Sequence, residues 1–83
     1  MSGRNDTARY AITSALLDGY SVIALVFRAV GKEESELIEI FGWSHKLRNT
    51  DAIEEFESLC SRHNAETKRL EYSNGSLTII LYA

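Results

Sequence analysis

The chain has 83 residues, of which 45% are hydrophobic and 25% charged, and it carries a formal net charge of -3. These proportions exclude a disordered tail or a low-complexity chain, and the length suits one domain that hides about 60% of the surface its unfolded form exposes. The acidic balance argues against a general nucleic-acid binder, whose affinity rests on a concentrated basic surface.

A single cysteine, Cys60, excludes an internal disulfide framework and points to a cytoplasmic setting. Arg4, Asp6, Arg9 and Asp18 interrupt the N-terminal region, which therefore lacks the apolar core of a signal peptide. The longest apolar run, Val22 to Phe27, falls far short of the roughly 20 residues a membrane-spanning helix needs, so no membrane partner is expected.

Met1 to Asn5 is small and polar and is expected to fray. From Asp6 to Asp18 the period is helical. Asn5 or Asp6 suits the cap, Ala8, Ala11, Ile12, Ala15 and Leu16 make one stripe, and Gly19 suits a left-handed exit. Ser21–Val30 and Glu36–Ser44 are rich in β-branched and aromatic residues and flank a polar stretch, which predicts a hairpin.

Alternation in the first of these strands is apolar on both sides, with Ile23, Leu25, Phe27 and Ala29 against Val22, Ala24 and Val26. In its neighbour, Leu37, Phe41 and Trp43 are expected on one side and Ile38 and Ile40 on the other. Residues apolar on both faces mark either a central strand or a surface awaiting a partner. Self-association into a two-fold homodimer is the simplest outcome if helix one leaves the second face bare.

A second helix is signalled by Thr50 or Asp51 as cap and by carboxylates in its first turn. Ile53, Phe56, Leu59 and Cys60 recur at helical spacing, Arg62 and His63 lie at the cation-favouring end, and Asn64 suits the exit. Ala65 to Thr67 connects to the final strands, where Asn74-Gly75 sits between alternating apolar residues. That pair suits a type I′ turn and sets Ser73 opposite Ser76, Tyr72 opposite Leu77, Glu71 opposite Thr78 and Leu70 opposite Ile79. The fold expected is α+β, in the order α-β-β-α-β-β, with a four-stranded antiparallel sheet from two hairpins and one or both of the two helices packed on a single face, as a single domain over residues 1–83.

Few residues suggest chemistry. Cys60 and His63 lie three apart on the second helix, the spacing of an activated thiolate, but Cys60 continues the apolar stripe and His63 suits the helix end. With only one cysteine and two histidines, no paired zinc spacing exists, and neither a metal nor a cofactor is expected. No catalytic constellation is indicated, so the chain reads as a non-enzyme.

The carboxylates Glu33, Glu34, Glu36 and Glu39 on the first hairpin, and Asp51, Glu54, Glu55 and Glu57 on the second helix, suit a solvated face that steers a basic partner. Glu33, Glu34, Glu36, Asp51, Glu54 and Glu55, joined by Trp43 as an aromatic anchor, form the expected partner-binding set, the alternative for Trp43 being a core residue where helix one covers the second sheet face. The function expected is a small protein-binding regulator or inhibitor of a macromolecular partner. Its size and acidity suit an accessory protein of a virus or mobile element that blocks the basic groove of a nucleic-acid-processing complex.

The alternative is nucleic-acid binding through His45, Lys46 and Arg48 with Lys68 and Arg69, near Trp43 and Tyr72. In addition, Ala15-Leu16-Leu17-Asp18-Gly19 is similar to the signature helix of the LAGLIDADG homing endonucleases, whose repeat also runs α-β-β-α-β-β. In that likeness Asp18 takes the place of the acidic residue beside glycine. Tyr20 and Ser21 depart from the longer motif, and no family is assigned on it.

Overall fold

A computed structural model describes residues 3–44 and 48–83. Helix α1 (Gly3–Leu17) buries the stripe Ala8, Ala11, Ile12, Ala15 and Leu16. It starts earlier than the expected cap, so Asn5 and Asp6 lie inside the helix. Of the segment expected to fray, Met1 and Ser2 lie outside the described residues, and Asn5 Oδ1 accepts the Thr67 backbone N–H and hydroxyl, each at 2.8 Å. The exit follows expectation: Gly19 has φ +83°, Tyr20 N–H donates to Ala15 O at 2.8 Å, and Gly19 N–H donates to Leu16 O at 3.1 Å. These two bonds satisfy carbonyls that the ending helix would otherwise orphan.

Strand β1 (Ser21–Ala29) pairs antiparallel with β2 (Ser35–Trp43). Helix α2 (Asn49–His63) follows, then β3 (Glu66–Ser73) and β4 (Ser76–Tyr82), a second antiparallel pair. The expected order α-β-β-α-β-β and the four-stranded sheet are both present. Asn74 and Gly75 both have positive φ, and the four anticipated pairs, from Ser73–Ser76 to Leu70–Ile79, are in register.

The sheet is mixed, however, rather than wholly antiparallel: its order is β2-β1-β4-β3, and the central pair β1–β4 runs parallel. Helix α2 is the cause. It carries the chain back along the sheet, so β3 starts where β2 started and β4 returns in the direction of β1. The two most apolar strands thereby take the centre, where each has neighbours on both sides, and β3, with Lys68 and Arg69, takes an edge.

Both helices lie on one face. Val22, Ala24 and Val26 of β1 and Leu77, Ile79 and Leu81 of β4 meet Phe56 and Leu59 of α2 and Ile12 of α1 in the core. One assignment in β2 is corrected. The register slips between Val26 and Phe27, so Leu37 pairs with Phe27 and Ile40 with Leu25 on the open face, while Ile38, Phe41 and Trp43 pack towards the core. An extra residue in one strand shifts every later side chain to the other side, which simple alternation does not anticipate.

Helix α2 begins one residue after Arg48, which has extended backbone and no side-chain capping bond. Thr50 and Asp51, expected as caps, lie within the first turn. Asp51 accepts from Arg48 Nε at 3.0 Å and places its charge at the positive end of the helix. Asn64 is left-handed at φ 51°, as expected, and Ala65 N–H closes the helix on Cys60 O at 2.9 Å.

Candidate functional site

The helix layer carries the most promising relief. Between α1 and α2 lies an open groove, with one concavity of about 400 Å³ lined by Asp6, Arg9, Tyr10, Thr13 and Ile53. It continues into a second of about 460 Å³ lined by Thr13, Asn49, Thr50, Ile53 and Glu54. The small buried residues of α1, Ala8, Ala11 and Ala15, bring the helix close to its neighbours and turn Tyr10 and Leu17 outward. Tyr10 is 79% exposed. It was not among the expected site residues, and its position off the alanine stripe is the sequence signal that would have placed it outward.

Carboxylates surround this groove. Arg9 bridges Asp6 and Glu57, reaching Glu57 Oε2 at 3.1 Å, and Arg48 holds Asp51. Glu54 and Glu57 are exposed on α2. Among the described residues Arg9 and Arg48 are thus spent on neighbouring acids, and Asp6, Asp51, Glu54 and Glu57 outnumber them, a negative excess that suits a basic partner.

The expected partner-binding set is not one patch. Glu33, Glu34 and Glu36 lie at the Ser35 end of β2, whereas Glu55 bonds Trp43 at the other end, roughly 25 Å away for a strand of this length. Glu36 is paired with Arg28. Trp43 is 3% exposed, and its Nε1–H donates to Glu55 Oε1 at 2.9 Å while its ring meets Phe41 and Phe56. It is a core residue and not the outward anchor expected, because β2 turns it beneath α2 and its one polar atom finds a carboxylate there.

The cations of the alternative reading are also dispersed. His45 and Lys46 lie outside the described residues. Arg48 pairs with Asp51 beside β2, whereas Lys68 and Arg69 lie on β3 at the opposite edge of the sheet. Arg69 is bonded to Glu71, and Lys68 stands 5.9 Å over the Tyr82 ring. Tyr72, expected on the core side, is on that side but 60% exposed at the edge, where it meets Tyr20 edge-on.

Cys60 and His63 do not form a working pair. Burial is the main cause pushing the Cys60 thiol up to about 11, so it stays protonated at neutral pH. His63 Nε2 faces Glu39 of β2, and Arg62 donates to the same carboxylate at 2.7 Å. Those bonds, His63 first and Arg62 second, hold the Glu39 carboxyl below the usual range. The arrangement clamps the end of α2 to the edge strand. Asp18, the residue of the LAGLIDADG likeness, is exposed. Among the described residues no group of three or more His, Cys, Asp and Glu is placed to hold a metal ion, and no helix is long and apolar enough to cross a membrane.

No family model, curated protein or solved structure matches this chain.

Proposed function

We propose that this chain is a non-enzymatic protein-binding module, a regulator or inhibitor that docks a basic segment of a macromolecular partner on its helix layer. The observation that carries this reading is the α1/α2 groove, where an exposed tyrosine and Ile53 are bordered by Asp6, Glu54 and Glu57. A large rigid ring beside a partly apolar concavity is the chemistry of interaction hot spots, and the carboxylates add steering toward Arg- or Lys-lined surfaces. An accessory inhibitor of a virus or mobile element acting on a nucleic-acid-processing complex fits this chemistry. The single cysteine, with no second thiol in the chain to bridge to, suits a reducing, cytoplasmic setting.

Affinity capture from native cell extract, with and without nuclease, tests the reading. A protein partner that survives nuclease and is lost from the variant combining Tyr10→Ala, Glu54→Lys and Glu57→Lys supports it. Unchanged capture by that variant, with its fold verified by circular dichroism, rejects it. Retention lost on nuclease treatment, with Arg48, Lys68 and Arg69 required and a steep decline with salt, favours nucleic acid instead.

A further inference from the structure

The face of the sheet opposite the helices is covered by nothing among the described residues. Across it run aligned rows: Leu37, Phe27, Tyr82 and Glu66; Ile40, Leu25, Ile80 and Arg69; Gly42, Ile23, Thr78 and Glu71. Ile80 is ringed by its strand neighbours, but Ile40 stands 61% exposed and Leu37 44%. The β1, β2 and β4 portion of these rows is uncharged. Charge is confined to β3, where Glu66 stands in register with Tyr82, Lys68 lies over the Tyr82 ring, and Arg69 and Glu71 are bonded to each other, two cations and two anions in all.

We propose that two copies of this chain pack sheet to sheet across a two-fold axis that crosses the strands between Ile23 and Leu25. The proposal uses the face opposite the acidic groove and stands independently of the helix-layer reading. This axis exchanges adjacent rows. Ile40, the most prominent apolar side chain of the face, lies over Gly42 of the second copy, where no side chain projects. A Cβ built at Gly42 meets only Val22 O, at 3.7 Å, so the glycine leaves an open dimple there. The same operation stacks Ile23 on Leu25, Thr78 on Ile80 and Arg69 on Glu71.

At the centre of the face knob thus meets gap and cation meets anion, as an isologous interface requires, and the row of Phe27 and Tyr82 lies over Ser21 and Ser76 of the second copy. A β3 strip holding both signs offers nothing to a partner of uniform charge, whether nucleic acid or an anionic lipid surface, and is self-complementary towards its own copy. Size agrees as well. Four strands at ~4.8 Å spacing and seven paired residues at ~3.3 Å make a face of roughly 19 by 23 Å, on the order of 400 Å² in projection. Side-chain relief raises the accessible area towards the ~600 Å² per partner at the lower end of specific interfaces.

Sedimentation equilibrium of the purified chain over a wide concentration range tests this, with twice the 9.3 kDa chain mass expected. Ile40→Glu, which puts a charge at the centre, and Gly42→Leu, which fills the dimple, each raise the dissociation constant by roughly tenfold or more. Arg69→Glu alone weakens the dimer, and adding Glu71→Arg restores it. A wild-type monomer throughout, or a dimer indifferent to both Ile40→Glu and Gly42→Leu, overturns the proposal. Should a variant fail to fold, isotope-filtered nuclear Overhauser effects on wild-type chains decide: intermolecular contacts between Ile23, Leu25 and Ile40 methyls support the sheet interface, and contacts from Tyr10 or Leu17 instead overturn it. Loss of partner capture by the groove variant leaves this result untouched, so the two readings fail separately.

Discussion

Asn5 and Thr67 are joined through a single oxygen: Asn5 Oδ1 accepts both the backbone N–H and the hydroxyl of Thr67, 62 residues along the chain, at 2.8 Å each. The same amide donates through Nδ2 to Ala65 O at 3.2 Å. One side chain therefore binds the first turn of α1 to the start of β3, at an edge strand that has a neighbour on one side only. Thr67 is buried, so its polar groups depend on this contact.

Replacing Asn5 with alanine should leave the Thr67 N–H and hydroxyl unsatisfied and lower stability by about 1–3 kcal/mol. Asn5→Asp keeps the acceptor but loses the donor to Ala65 O, and should cost less if its charge stays hydrated. Urea denaturation of the three proteins measures the order, and equal stability of wild type and Asn5→Ala would show that the latch contributes nothing.

Cys60 should be a slow nucleophile. With its thiol pushed to about 11 from an ordinary 9, the thiolate fraction at pH 8 falls roughly 100-fold, and alkylation of the folded chain should slow accordingly relative to the urea-unfolded chain. The sign for stability follows from proton binding. Between the two values the folded chain holds a proton that the unfolded chain has released, so folding stability declines as pH rises from 9 towards 11. Cys60→Ala removes this alkaline component, and a denaturation series at increasing pH reads the difference.

Glu39 acts in the opposite pH range. Bonds from His63 and Arg62 depress its carboxyl below the ordinary 4.5, so the unfolded chain takes up a proton first as the solution is acidified. The stabilisation is complete above the ordinary value and is lost as pH falls through the folded one. Wild type should therefore lose stability on acidification more steeply than Glu39→Gln, and the curves should converge at low pH. Parallel curves would mean that the clamp between α2 and β2 is electrostatically idle.

Much of the fold was legible in local residue order because the forces concerned act within a few residues. Asn74-Gly75 tolerates positive φ at both positions, and Gly19 and Asn64 end their helices in the left-handed conformation. Ala8, Ala11, Ile12 and Ala15 recur at the helical period and are all buried. The helix N-termini were less legible, since Asn5 is used for a distant contact and Arg48 precedes α2 without a side-chain cap. The acidic content of α2 was readable too, but the groove beside Tyr10 and Ile53 needed α1 and α2 to meet.

By itself, then, the residue order determined the sequence of elements, both helix exits, the register of the second hairpin and the apolar character of β1 on both sides. Those depend on backbone sterics and on short-range periodicity. Only the tertiary structure decided that β1 and β4 run parallel, that both helices share one face, and that Trp43 goes under α2 to Glu55 while Ile40 is left outside. Such choices rest on contacts between residues far apart in the chain, where a return helix reverses strand direction and one extra residue in β2 changes which side each later side chain faces.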